Sequence, residues 1–167
     1  VAVDLSADML AAVAETAKGK GLSNIETHRA SVERLPFADA SFDCVVTRYS
    51  AHHWLDFEGG LREARRVAKP GSPAIFMDVF APGVPLLDTH LQSLELLRDT
   101  SHVRNYTLAE WSDALARAGF ALKSARTWRL HLEFASWIAR MRTPEVLVAA
   151  IRALQTGAPR EVRDHFA

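Results

Sequence analysis

The stretch from Leu35 to Trp54 constrains the fold of this 167-residue chain more than any other. It opens on Leu35-Pro36-Phe37, which cannot be helix interior, because Pro36 lacks an N–H and pushes Leu35 towards extended geometry. Ala38-Asp39-Ala40-Ser41 is turn chemistry, with short side chains that bond the local backbone. Phe42 to Thr47 is a short apolar run rich in β-branched residues, the pattern of a strand buried on both faces. The single cysteine, Cys44, falls inside that run, which leaves no disulfide and no thiolate metal site. In open α/β sheets, ligands sit beyond the carboxyl ends of such strands. That position here holds Arg48, Tyr49, Ser50, His52, His53 and Trp54.

Three more strand-like runs accompany it: Val1-Ala2-Val3 ending at Asp4, Ile25 to Ala30, and Ala74 to Val79 ending near Asp78. Helical signals lie between them. Ser6 caps a helix with Asp8 in its first turn and a stripe of Met9, Leu10, Val13 and Ala17, ended by Gly19-Lys20-Gly21. Asp56 caps a second helix running to about Ala68, stopped by Lys69-Pro70-Gly71. This alternation predicts a mostly parallel sheet with helices on both faces.

The second half reads as more helical. Leu87, His90, Leu91, Leu94 and Leu97 recur at helical spacing. Thr107 and Glu110 form a capping box before Trp111 and Leu115, with Gly119 at the C′ position. Phe120 to Leu130 predicts a strand, and Phe134, Trp137, Ile138 and Met141 a short helix. Thr143 as cap with Pro144 at N1 opens another helix, with a stripe of Leu147, Ala150, Ile151 and Leu154, closed by Gly157. Residues 159–167 begin one more. With no repeat, low-complexity tract or linker, residues 1–167 form one domain.

Charge narrows the partners. Twenty Lys and Arg balance twenty Asp and Glu, so there is no electrostatic footprint for nucleic acid. No apolar run approaches the ~20 residues of a membrane span, and no signal peptide is visible, which predicts a cytoplasmic protein. The seven histidines contain no helical His-x-x-x-His and have no cysteine partner, so no metal site is expected. Arg62 to Arg66 reads as a solvated helix face, and the four tryptophans as core.

Asp4 is the first residue to suggest chemistry. A carboxylate at the carboxyl end of a parallel strand, followed by a helix start, suits a ribose diol. Dinucleotides and S-adenosylmethionine both use an acid in this place, and Asp4 alone also fits a plain helix start.

Further stretches carry a resemblance. Val3 to Leu10, Glu33 to Asp43, His52-His53-Trp54, Leu61 to Gly71 and Ala118-Gly119-Phe120 closely resemble, in order, the class I S-adenosylmethionine-dependent methyltransferases. The set looks like the branch containing the ubiquinone/menaquinone-biosynthesis C-methyltransferases, and the similarity covers nearly the whole chain. It implies an α/β, three-layer Rossmann-like fold with S-adenosyl-L-methionine as cofactor. By that resemblance Asp4 accepts hydrogen bonds from the ribose hydroxyls, and Leu5 and Met9 pack near the adenine. Ser31 and Val32 stand where the family usually has Asp-Ala against the adenine edge, and Ser31 offers the weaker acceptor. Arg48 and Tyr49 would line the methionine half.

The family's first strand and its glycine-rich turn should precede Val1, and its last antiparallel strand should follow Ala167. The chain is therefore expected to be truncated at both ends, with a central strand absent between the Asp4 and Phe42–Thr47 strands. Cofactor binding by the chain as it stands is expected to be weak. Direct displacement at a sulfonium methyl needs in-line positioning and, for an O–H or weakly acidic C–H acceptor, a base. His53 is the first candidate, with His52 behind it. His102, Arg104 and Tyr106 either orient a polar substrate or tie their loop down. Two functions follow. One is methyl transfer to a small-molecule acceptor. The other is a non-catalytic, methyltransferase-like domain that has lost cofactor binding and serves as an assembly or homodimerisation module.

Overall fold

The computed structural model describes residues 1–166, with β1 at Ala2–Asp4, α1 at Ala7–Gly19 and β2 at Thr27–Arg29. Ser6 caps α1 by accepting the Met9 N–H, as its sequence predicts. Then follow β3 (Val45–Arg48), a 3-10 turn (Ala51–His53), α2 (Phe57–Val67) and β4 (Ala74–Met77). The remainder is helical: α3 (Pro85–Arg98), α4 (Leu108–Arg117), α5 (Phe134–Met141), α6 (Glu145–Gly157) and α7 (Arg160–Phe166).

All described strand pairs are parallel. They form two separate two-stranded sheets, β1 with β2 and β3 with β4, so the expected single sheet is split. The strand expected over Phe42–Thr47 is shorter and more open than its sequence suggests. Phe42 makes only an isolated bridge to Ala68, and the ladder begins at Val45. Val46 is 60% exposed and pairs in register with Ile75, which is half exposed. One face of this pair is therefore bare. The other packs through Phe76 onto a core of Trp54, Phe57, Leu61, Trp111 and Leu115, carried mainly by α2 and α4. Cys44 lies before the strand and is exposed, which corrects its expected burial.

Arg66 also departs from the expected solvated face. It donates to Glu63 at 2.7 Å, to Asp39 at 2.8 Å, and to the carbonyls of Leu35 and Phe37 at 3.1 and 2.7 Å. One planar guanidinium thus fastens the whole Leu35–Asp39 loop to α2.

The second half holds three corrections. Phe120 to Leu130 forms no strand among the described residues, because no neighbouring strand offers it a ladder. Trp128, in that segment, is 61% exposed, whereas Trp54, Trp111 and Trp137 are core. Thr143 does not cap α6. Pro144 holds the cap position, and the Thr143 hydroxyl donates to the Arg98 and Ile138 carbonyls, joining α5 to α3. The capping box at Thr107 forms as predicted, both of its hydrogen bonds being present. The helices α3, α5 and α6 share a second core of Leu94, Trp137 and Ile151, and α7 packs Val162 on Leu87.

Candidate active site

The residues singled out in the sequence collect at the carboxyl ends of the strands. Asp4 ends β1 half-buried, and its carboxylate accepts the Ser6 N–H at 2.8 Å. Beside it Leu5 is 63% and Met9 56% exposed. Two large apolar side chains left in water next to a carboxylate suit a flat apolar ring carrying hydroxyls. The Arg29 Nε donates to the Leu5 carbonyl at 2.9 Å and fixes that turn.

Where the chain leaves β2, the Ser31 hydroxyl donates to the Glu33 carboxylate, and the Glu33 N–H donates back to it at 3.2 Å. Glu33 also accepts the N–H groups of Leu55 at 3.0 Å and Asp56 at 3.4 Å, tying this loop to the start of α2. Ser31 is thus engaged within the protein, and Val32 packs on the α2–α4 core. Glu33 is the acid that sequence reasoning passed over, although its place two residues beyond Ser31 was visible.

At the end of β3 the Arg48 guanidinium lies 5.0 Å from the centre of the Tyr49 ring, and both residues are exposed. Tyr49 has φ 51°, a left-handed conformation rare for an aromatic residue, while its N–H still donates to Met77 at 2.8 Å. The chain therefore turns sharply away from the ladder into Ser50–Trp54.

The end of β4 supplies a residue that the sequence marked only as a strand end. The Asp78 carboxylate accepts the N–H groups of Ser50 at 3.2 Å, Ala51 at 2.8 Å and Val79 at 2.8 Å. It also receives His52 Nδ1 at 2.6 Å, with both side chains largely buried. An Nδ1–H held by a carboxylate leaves Nε2 as the basic nitrogen. His53 faces elsewhere: its Nδ1 lies 3.1 Å from both the carbonyl and the hydroxyl of Ser101, and its Nε2 is 3.9 Å from Asp99. Burial acts to raise the Asp99 pKa, but hydrogen bonds from Ser101 outweigh it and hold it below the usual value.

The Ser101–Tyr106 loop is tied down. Gln92 on α3 accepts the Asn105 N–H at 2.9 Å, donates to the Asn105 carbonyl at 2.7 Å, and pairs with His102 Nε2 at 2.9 Å. His102 is buried, and its pKa is pushed down to about 4 by burial and by the nearby His52 and His53 imidazoles. Arg104 reaches Glu110 at 3.2 Å, and the Tyr106 ring stacks on Phe57 at 3.9 Å. Loop anchoring, one of two expected roles for this trio, is what these contacts perform.

Above the strand ends opens a cavity of about 1010 Å³. Tyr49, Met77 and Asp78 form its floor, α3 contributes Leu94, and α5 contributes Phe134 and Trp137. Of the candidate residues only Tyr49 lines it. Asp4, Leu5, Met9, Ser31, Val32 and Arg48 lie outside its wall, as do His52 and His53.

This architecture has close counterparts. Residues 1–76 match the family model described as methyltransferase domain. The chain is 53% identical over 167 residues to the uncharacterized protein YafE of Escherichia coli K12, spanning all of this chain and 81% of YafE. The chain belongs to the class I methyltransferase family. It is 35% identical over 166 residues to the uncharacterized methyltransferase YcgJ of Bacillus subtilis 168, spanning 66% of that protein. The crystal structure of YcgJ superposes with a TM-score of 0.93 over 98% of this chain and 70% of that one. The BH2331 protein of Bacillus halodurans C-125, 28% identical, gives 0.92 over 98% and 71%. The fold is accordingly an α/β methyltransferase fold, shorter than those solved chains.

Proposed function

We propose that this chain is the core of an S-adenosyl-L-methionine-dependent methyltransferase acting on a small-molecule acceptor. The observation that carries the reading is Tyr49, which lies beside Arg48 at the carboxyl end of β3 and at the same time lines the cavity. Bound S-adenosylmethionine supplies an electrophilic methyl group on a sulfonium. Asp4 holds the ribose diol through its carboxylate, with Leu5 and Met9 covering the adenine. Ser31 and Val32 form the far wall, Ser31 through its contact with Glu33. Arg48 and Tyr49 would flank the methionine portion, with Tyr49 standing between it and the cavity.

An O–H or C–H acceptor must lose one proton when it is methylated. His53, the more open of the two adjacent imidazoles, and His52, fixed by Asp78 with Nε2 free, are assigned the acceptance of that proton; neither lines the cavity itself, and His52 meets it through Asp78. Among the described residues no helix is long and apolar enough to cross a membrane, in keeping with a cytoplasmic enzyme.

Calorimetric titration of the chain with S-adenosylhomocysteine tests the reading. A saturable heat that Asp4→Ala weakens at least about tenfold is expected, the worth of one hydrogen bond to a charged group. An Asp4→Ala affinity equal to that of the parent chain overturns the assigned site. The second reading is an assembly module. It is favoured by the split sheet, which leaves β1 and β3 with no ladder between them among the described residues. Absence of any cofactor heat, together with a dimer in sedimentation, would decide for it.

A further inference from the structure

The cavity above the strand ends is unevenly charged. Four arginines line it, Arg126, Arg129, Arg152 and Arg163, against two carboxylates, Asp78 and Glu95. Both carboxylates are committed. Asp78 is occupied by His52 and three backbone N–H groups, and Glu95 pairs with Arg98 at 3.0 Å, both side chains being largely buried. Three of the arginines, by contrast, are oriented by neutral groups. Arg129 donates to the His165 carbonyl at 2.9 Å, Arg163 to the Ala158 carbonyl at 2.9 Å, and Arg152 to the Gln155 side chain at 3.4 Å. Arg152 also lies 3.3 Å from the centre of the Phe134 ring. Glu133, whose carboxylate charge interacts with Arg152, accepts the N–H groups of Ala135 and Ser136 at the start of α5, so the carboxylate-binding role falls to Arg129 and Arg163. Hydrogen bonds to carbonyls hold a guanidinium in place without cancelling its charge.

The rest of the wall is apolar and aromatic, with Leu91, Leu94, Phe134, Trp137 and Val162. Such a room favours one kind of guest: an apolar, ring-bearing body carrying an anionic group. We infer that the acceptor is an aromatic or similarly flat apolar carboxylate. Its body lies on Leu94, Phe134 and Trp137, and its carboxylate meets Arg129 and Arg163 at the α7 end. This rests on the reading of the cavity as the acceptor room.

The test compares two isosteres, naphthalene-1-carboxylate and the neutral naphthalene-1-carboxamide, by calorimetry and by quenching of the Trp128 and Trp137 fluorescence in the full chain. The carboxylate is expected to bind at least about tenfold tighter at low salt, the worth of one charge-assisted hydrogen bond, with the margin shrinking in high salt. In the double variant Arg129→Gln and Arg163→Gln the margin is expected to fall at least about fivefold while carboxamide affinity is kept. Equal binding of the two isosteres by the parent chain, which needs no variant to fold, overturns the inference. So does a margin that survives the double variant. A carboxylate preference in a chain that binds no S-adenosylhomocysteine sinks the methyltransferase reading and, with it, the acceptor role of the carboxylate, leaving only a cavity that binds aromatic carboxylates. Methyl transfer to neutral acceptors without any carboxylate preference does the reverse.

Discussion

His102 is the residue whose chemistry most directly couples the site to stability. Buried, bonded through Nε2 to Gln92, and flanked by the His52 and His53 rings, it stays neutral until about pH 4, against an ordinary value of 6.5. The unfolded chain therefore binds this proton more readily than the folded one between those values. Stability is full above pH 6.5, is lost as pH falls towards 4, and levels off below, at up to about 1.4 kcal/mol per unit across that window. Urea unfolding from pH 7 to pH 4 should show the fall, and His102→Gln should flatten it; an unchanged slope in the variant would assign the effect elsewhere. Gly60 gives a second prediction. A Cβ built there would sit 2.5 Å from Cε3 of the buried Trp54, so Gly60→Ala must displace an indole ring from the core. A loss of about 1–3 kcal/mol in chemical denaturation is expected, although alanine is the better helix former.

Among the elements, α4 shows how local chemistry and packing agree. Its capping box is complete, and its buried face of Trp111, Ala114 and Leu115 sits on α2. Thr107→Ala should cost about 1 kcal/mol, read as a lowered denaturation midpoint with unchanged slope. Thr143, also expected from the sequence to cap a helix, does different work, since its hydroxyl serves the Arg98 carbonyl. The elements that sequence missed are those whose state depends on a neighbour. Phe120–Leu130 has a strand composition but no ladder, and Val46 and Ile75 belong to a strand pair covered on only one face. Propensity and periodicity describe a segment, whereas pairing is decided by what lies beside it.

At the scale of the molecule, the split sheet divides the chain into parts of unequal burial. α1 packs on β1 and β2 and buries only Leu10 and Ala17, while α2 buries six residues in the main core. The first part reaches the rest mainly through Val32, Glu33 and Phe37, by packing, backbone hydrogen bonds and the edge-on contact of Phe37 with Phe42. Amide exchange should accordingly run at least about tenfold faster in α1 than in α2, by local opening of the first part. Equal protection of the two helices would show that they unfold as one unit.

What the sequence by itself determined is the order of the elements and which residues stand at the strand ends. Caps at Ser6, Asp56 and Thr107, stops at Gly19 and Gly119, and polar residues after apolar runs are local signals, and local hydrogen bonds enforce them. The strand-end positions of Asp4, Arg48 and Tyr49 were legible for the same reason, since strand ends are marked by composition. Tertiary structure alone decided the rest. It set Asp78 against His52 across 26 residues of chain, turned His53 to Ser101, and assembled the arginine-lined cavity from α3, the segment before α5 and the last three helices. Those contacts join residues that no periodicity relates, because their energies arise only when distant backbone segments have already been brought together.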